Sequence, residues 1–533
     1  MKRLFRCLVY VPILLLALPA LVSRAQTPHR VSLATMSPRT RALFLKSMDG
    51  NAQLWDPSVH LIRSPEYVPG HPAPDTHLTD THYWEKCCSR VRETSFYALG
   101  LLIRDAPGDR QTAAEALNEV LRQQYTQPGV RWFGTYKRTP EETVPATGAV
   151  MWRDYDPNWR EFIGVTLEMI LVEFSDRLPA ELARRLYHSI DLAVQGEMDE
   201  KRLMPAYTNP ALMYGALWDF AAVHGHRADW QKQSADWIDS VYALFAKYGA
   251  YAEYNSPTYY GVDLQGTSLW RDYGSTEHIR NLGSRMEAQM WHDVAALYQP
   301  ELHNLCGPYD RSYSMDMEPH ADLVALWMAN VLDVAHSPLP PIEQLNGASL
   351  SYMPQVAVLG ARIPAEDLAH MATFQGEHAF RRQITDDRIA TAWVGKQAIW
   401  GAEFTSKTRG VGKDSQFHPV TVQWRLPSGG IGWIDLVSSP PIDATAARDG
   451  ITISATGTLR LRIHASGLTP DKLTAALWDL PGLRVSVTSD AKGAFAVQTA
   501  DAAFNVYREA RAETYDVIYP DGAAMTLKIA NQE

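Results

Sequence analysis

From about Thr79 to Ala335, apolar residues recur at intervals of three and four; beyond about Ser349 they alternate with polar ones. The first spacing lays a stripe along one face of a helix, and the second turns one face of a strand toward a core. DPNWREFIGVTLEMILVEFSDRL (156–178), NPALMYGALWDFAAVHG (209–225) and ADWIDSVYALFAKYG (235–249) carry the helical period. Short loops between such segments make antiparallel hairpins. RIATAWVG, PVTVQWRL, GITISATGTLRLRIHA, LRVSVTSD and TYDVIYP carry the alternating period, separated by Gly, Asp, Asn and Pro. The expected division is a helical domain over residues 26–348 and an antiparallel β-sandwich over 349–533.

Three helices open alike. Asp156-Pro157, Asn209-Pro210 and Ser256-Pro257 each set a capping residue before a proline suited to the first helical position. Their starts lie about fifty residues apart, and GPYDRSYSMDMEPH from Gly307 follows at a similar interval. A repeat of that length is one helix out and one helix back. Such hairpins close into an α/α toroid, which gathers the N-termini of its inner helices on one rim. Residues 127–150 (QPGVRWFGTYKRTPEETVPATGAV) break the rhythm and read as a long loop on that rim.

The N-terminus changes the picture of where the protein works. MKRLFRCLVYVPILLLALPALVSRAQ places Lys2, Arg3 and Arg6 before an apolar stretch and ends it at Ser23-Arg24-Ala25. This reads as a cleavable secretory signal over residues 1–25, with the mature protein secreted or periplasmic. No later stretch approaches ~20 uninterrupted apolar residues, so no membrane partner is expected once the signal is removed. The formal net charge of −10 becomes more negative still when the basic signal leaves. That balance argues against nucleic acid, and it assigns any recognition of an anion to local arginines and helix ends. Cys87, Cys88 and Cys306 remain, an odd number for an oxidising compartment; a bridge from Cys306 to either neighbour is one arrangement. No Cys/His spacing completes a metal site, and no P-loop, GxGxxG, HExxH or GxSxG stands in a supporting context. No metal or cofactor is expected.

Candidate chemistry concentrates at the helix starts. In EYNSPTYYG (253–261), Ser256 and Pro257 open a helix, Tyr259 and Tyr260 fall in its first turn, and Asn255 stands just outside. The positive end of a helix favours an anion and eases ionisation of a nearby phenol, whose ordinary pKa is about 10. The plain alternative is a capped helix with two aromatic core residues. Asn209 is equally a cap or a donor, with Tyr207 just before it as Tyr254 is in the next repeat. PYDRSY offers Tyr309, Arg311 and Tyr313, with Asp310–Arg311 as a surface pair in the plain reading. Arginine there suits bidentate recognition of a carboxylate. Of the scattered histidines, His320 follows that loop, and His418 lies in KDSQFHP, a turn placed to fold back over the rim. Trp132, Trp152, Trp159 and Trp270 recur near the proposed opening, where aromatic rings suit the C–H faces of sugars.

EYNSPTYYG, TNPALMYG, PYDRSY and the KTRGVGKDSQFHP turn, set in a helical body with a β tail, resemble polysaccharide lyases of the heparinase II/III and alginate-lyase type. The resemblance implies β-elimination on an anionic, uronic-acid-containing polysaccharide or oligosaccharide. In that scheme Asn209 or Asn255 with Arg311 neutralises the substrate carboxylate. Tyr259 or Tyr260 transfers protons, and Tyr313 or a histidine assists. Trp132, Trp152, Tyr207, Glu253, Tyr254, Tyr309, His320 and His418 would then line the groove. Two other classes fit the same residues. An α/α-toroid hydrolase would pair Glu253 with Asp263, Asp272 or Asp310 at about 5 to 10 Å. A glycan-binding protein would use the rim without chemistry.

Overall fold

The computed structural model describes residues 30–70, 86–317, 323–409, 416–500 and 513–531. The signal expected over 1–25, and His320, lie outside them. The architecture is the expected one, an α/α toroid followed by an antiparallel β-sandwich.

After α1 (Pro38–Leu54), the helical body is built from hairpins: α2 (Val91–Arg104) with α3 (Asp109–Arg122), and α4 (Trp159–Phe174) with α5 (Ala180–Glu200). Two more follow, α6 (Thr208–His224) with α7 (Ala228–Tyr248), and α8 (Tyr260–Tyr273) with α9 (Glu277–Leu297). The two members of each hairpin differ in burial as the sequence differs in pattern. On α7 only Trp230, Ser234, Ile238, Val241 and Phe245 are buried, three or four residues apart. That is one stripe of an outer helix. On α6 every residue from Thr208 to Ala222 is buried, which marks an inner helix surrounded on all sides. α2 packs on α4, α4 on α6 and α6 on α8; α11 (Met353–Leu359) touches α1, α2, α4 and α8 and completes the ring. α10 (Leu323–Ala329) lies against α8, and α12 (Ala365–Ala372) against α9. Among the described residues no helix is long and apolar enough to cross a membrane.

Helices thus continue to Ala372, past the change of character read near Ser349, and the large sheet starts at His378. Its ten strands are β1 (His378–Thr385), β2 (Arg388–Val394), β3 (Ala398–Arg409), β4 (Val420–Arg425) and β5 (Ile431–Ala447), then β6 (Gly450–His464), β7 (Leu477–Leu480), β8 (Leu483–Ser489), β9 (Ala496–Thr499) and β10 (Thr514–Asn531). They run in the order β7-β8-β10-β6-β5-β4-β3-β2-β1, all antiparallel, with β9 on β10. Leu461 of β6 pairs Leu436 on one side and Val517 on the other. Beyond an irregularity at Leu436–Ile442, β5 leaves β4 and pairs with β3, so the sheet folds over its own core. Val394, Ile399, Ile431 and Trp433 instead pack into the helical core, which fixes the sandwich against the toroid.

The helix starts are displaced from the sequence expectation. Proline disfavours the helical backbone in the residue before it, and after Asp156 and Ser256 the chain makes a further turn before it coils. Asp156 accepts from the Asn158 N–H at 3.0 Å and Ser256 from the Tyr259 N–H at 3.0 Å, and α4 and α8 begin only at Trp159 and Tyr260. α6 does the reverse: it begins at Thr208, so Asn209 is already helical and its side chain is free to act elsewhere. Cys87 and Cys88 are bridged to each other and Cys306 is a buried free thiol, so the bridge considered from Cys306 is not formed.

Candidate active site

The starts of α4, α6 and α8 meet on one rim, and the sandwich supplies a wall. Between Leu305 and Met317 the chain runs as a loop held from behind. Asn255, at φ +48°, donates its amide to the carbonyls of Cys306 (2.7 Å) and Pro308 (2.9 Å). Tyr309 and His418 exchange backbone hydrogen bonds at 3.0 and 2.8 Å, and Ser312 N–H donates to the Gln416 carbonyl at 2.9 Å. On β3, Gly401 leaves room for this loop: a Cβ there would stand 1.8 Å from the Gly307 carbonyl oxygen. The Ser256 hydroxyl donates to the Arg311 carbonyl while accepting from Tyr259 N–H, tying the helix start to the loop.

On the front of that scaffold lies one connected cluster. Arg311 donates from Nε to Gln416 Oε1 (2.9 Å), from Nη1 to Glu253 Oε1 (3.0 Å) and from Nη2 to Tyr259 Oη (2.7 Å). Its guanidinium also stacks 3.7 Å from the centre of the Tyr259 ring. Asn209 Nδ2 donates to the other oxygen of Glu253 at 3.1 Å, and the hydroxyls of Tyr259 and Tyr313 are 2.7 Å apart. At the flank Asn158 donates to Tyr207 Oη at 3.3 Å, and Arg202 donates to Asn158 Oδ1 at 2.7 Å. Arg311, Glu253, Tyr259, Tyr313, Tyr207 and Gln416 all keep partial exposure.

The electrostatics follow from partial burial around one cation. Burial pushes the Glu253 carboxyl above the usual glutamate range, against the pull of Arg311. Burial, then the Tyr313 hydroxyl, raises the Tyr259 phenol well above its ordinary value, while Arg311 works in the opposite direction. Burial disfavours the charge on Arg311, but Tyr259 and Glu253 outweigh it and hold the guanidinium protonated. The site therefore centres on a protonated guanidinium held between Glu253 and a neutral phenol. An arriving anion and Glu253 compete for the same donors.

Several residues marked from sequence sit elsewhere. Tyr260 is buried, edge-on to Tyr254, and Asn255 is a fully buried clamp of the loop; neither reaches the cluster. Tyr254 is buried with its hydroxyl on Asp293 at 3.0 Å. Tyr309 is buried, donating to the Leu305 carbonyl and accepting from Gln423 at 2.9 Å. His418 is fully buried, with Nδ1 3.0 Å from Asp435 and Nε2 3.1 Å from the Ser312 carbonyl, so it supports the loop rather than meeting a substrate. Trp132 is buried on Tyr155 within its own loop, whereas Trp152 is 53% exposed. The surface pair Asp310–Arg311 does not form, because Asp310 turns to Arg388 and Arg311 to Glu253. Of the hydrolase carboxylates, Asp263 is fully buried and the side chains of Asp272 and Asp310 are nearly so, whereas Glu253, although paired with Arg311, keeps 17% exposure at the opening. Asn158 escapes the sequence reading because it follows Pro157, whereas the helix-start pattern points to the residue before each proline. Gln416 lies in the turn that was marked, two residues before the histidine singled out there. Among the described residues no group of three or more His, Cys, Asp or Glu could hold a metal.

Residues 41–360 match the family model described as "Domain of unknown function (DUF8769)". The chain belongs to that family. Residues 373–519 match a second model, "Domain of unknown function (DUF8770)". No curated protein matches the chain. Solved structures similar to it include a heparinase III, at 9% identity over 95% of this chain and 87% of the other, with a TM-score of 0.37. A chondroitin AC lyase mutant from Streptomyces coelicolor A3 is 12% identical over 93% and 80%, with a TM-score of 0.39. A heparan sulfate lyase HepC mutant from Pedobacter heparinus is 12% identical over 93% and 84%, with a TM-score of 0.33. At these values the chemistry of the DUF8769 site has to be read from its own geometry.

Proposed function

We propose that this protein is a secreted polysaccharide lyase that cleaves a uronic-acid-containing glycan by β-elimination. One observation carries the reading: a guanidinium and a carboxamide both turn onto a single carboxylate, that of Glu253, beside two phenols that share a hydrogen bond. A uronate carboxylate has the shape and charge of the Glu253 side chain and replaces it on Arg311 Nη1 and Asn209 Nδ2. Neutralising that carboxylate lets the adjacent C5–H be removed without building a second full negative charge beside the first. Tyr259 acts as the phenolate, favoured by Arg311 Nη2 once Glu253 has released the cation. It takes the C5 proton as the C4–O bond breaks and the C4–C5 double bond forms. The Tyr313 hydroxyl, on the other side of Tyr259 Oη, gives its proton to the departing oxygen.

The test is incubation of the purified protein with a panel of uronate-containing glycans. Elimination yields a conjugated double bond that absorbs in the near ultraviolet. New reducing ends without that absorbance would assign a hydrolase, and retention of glycan with no product at all would assign a binding protein.

A further inference from the structure

We infer that Arg388, the first residue of β2 in the sandwich, is a positioning residue that sets the separation of Glu253 and Arg311 across the toroid rim. Its side chain is almost entirely buried and divides its donors among three partners. Nη1 donates to the Ala252 carbonyl at 2.8 Å, Nη2 to the Asp310 carboxylate, and Nε to Glu403 Oε1 of β3 at 2.7 Å. Two of those partners are the chain neighbours of Glu253 and Arg311. The two segments are also joined directly, since Tyr254 N–H donates to Asp310 Oδ2 at 2.7 Å and Asp310 N–H to the Tyr254 carbonyl at 3.0 Å. One planar guanidinium thus holds both walls of the site from behind, and Glu403 fixes that guanidinium to the sheet.

A fork with donors in fixed directions does this and a lysine cannot, because a single ammonium serves one partner well and the others poorly. The sandwich therefore does more than cover the toroid. The consequence for the proposed reaction is geometric: a shift of about 1 Å between reacting groups can cost on the order of a hundredfold in rate. Domain attachment as such has other anchors. Gln299, for instance, donates to the carbonyls of Gly395 and Lys396 at 3.3 and 2.6 Å and accepts from the Glu301 and Leu302 N–H groups, and its hydrogen bonds reach neither Glu253 nor Arg311.

The inference rests on the lyase reading only for its kinetic arm, so the experiment has two readouts on the full chain. Arg388→Lys is compared with wild type and with Gln299→Leu as an attachment control. Amide hydrogen exchange is expected to rise together in residues 252–256 and 309–313 for Arg388→Lys, and in neither segment for Gln299→Leu. With a glycan that gives unsaturated product, kcat should fall about 10- to 100-fold in Arg388→Lys and stay within about twofold in Gln299→Leu. Wild-type exchange in both segments, or wild-type kcat and KM, in folded Arg388→Lys would overturn the assignment. Should that variant not fold, Asp310→Asn weakens the charged link from Arg388 Nη2 while keeping an oxygen for the Tyr254 N–H, and is read by the same exchange. If wild type releases no unsaturated product from any glycan, the lyase reading falls, while the exchange comparison still decides the clamp.

Discussion

At the scale of single residues, two adjacent tyrosines separate the catalytic reading from plain packing. Tyr259 Oη sits between Arg311 and Tyr313, whereas Tyr260 is buried against Tyr254. Tyr259→Phe should lower kcat by about 10²- to 10⁴-fold, the range of a lost proton-transfer group, while Tyr260→Phe keeps activity within about twofold. Equal losses in both, measured as initial rates of near-ultraviolet absorbance, would remove Tyr259 from the mechanism. Glu253 makes a different prediction. Its carboxyl is held above the usual glutamate range by burial, so falling pH protonates it early and frees Arg311 and Asn209 for a substrate that is still ionised. KM of the wild type should therefore fall as pH is lowered from neutrality, and KM of Glu253→Gln should be lower and nearly independent of pH over the same range. A wild-type KM that rises on acidification contradicts the competition. Both tyrosines were legible in EYNSPTYYG, but not which one faces the cleft. Successive residues of a helix start point about 100° apart. The choice is made by the loop at Arg311, which packs there from more than fifty residues away.

Elements were easier to read than their ends. A helix such as α7 carries its buried stripe in its own sequence, and so do the alternating strands of the sandwich, so type and order were visible without tertiary information. Where α4 and α8 begin depends on the turn that each proline imposes. The burial of Asn255 and His418 depends on which loop lies over them. Docking of that loop on β3 is itself testable. Gly401 accepts the Gly307 carbonyl where any side chain would collide with backbone, at 1.8 Å from oxygen and 2.1 Å from carbon. Gly401→Ala should cost about 1 to 3 kcal/mol in denaturant unfolding, as overpacking does, and should lower kcat because the displaced loop carries Arg311. An unchanged midpoint together with unchanged activity would mean that the loop does not rest there.

Over the whole molecule, the site belongs to two domains, and nothing local in RIATAWVG announces that its arginine reaches Asp310 and Ala252. The same contact gives stability a dependence on pH. Glu403 shares the Arg388 guanidinium with Asp310 and lies fully buried, with Thr405 also facing it. Burial, and then the Asp310 charge, raise its carboxyl to about 7, although Arg388 pulls the other way. In the unfolded chain the same group titrates near 4.5, so the folded protein binds this proton more tightly. Its contribution is complete below about pH 4.5, declines as pH rises through the interval, and is gone above about 7. At about 1.4 kcal/mol for each unit of difference, the loss amounts to a few kcal/mol. Glu403→Gln keeps an oxygen for the Arg388 Nε–H and has no proton to release. Relative to wild type, its unfolding free energy should therefore improve by a few kcal/mol between pH 5 and pH 8, as read by denaturant titration at each pH. A difference between the two proteins that is the same at both values would show that Glu403 is ionised throughout. The buried triad would then carry both of its negative charges at every working pH.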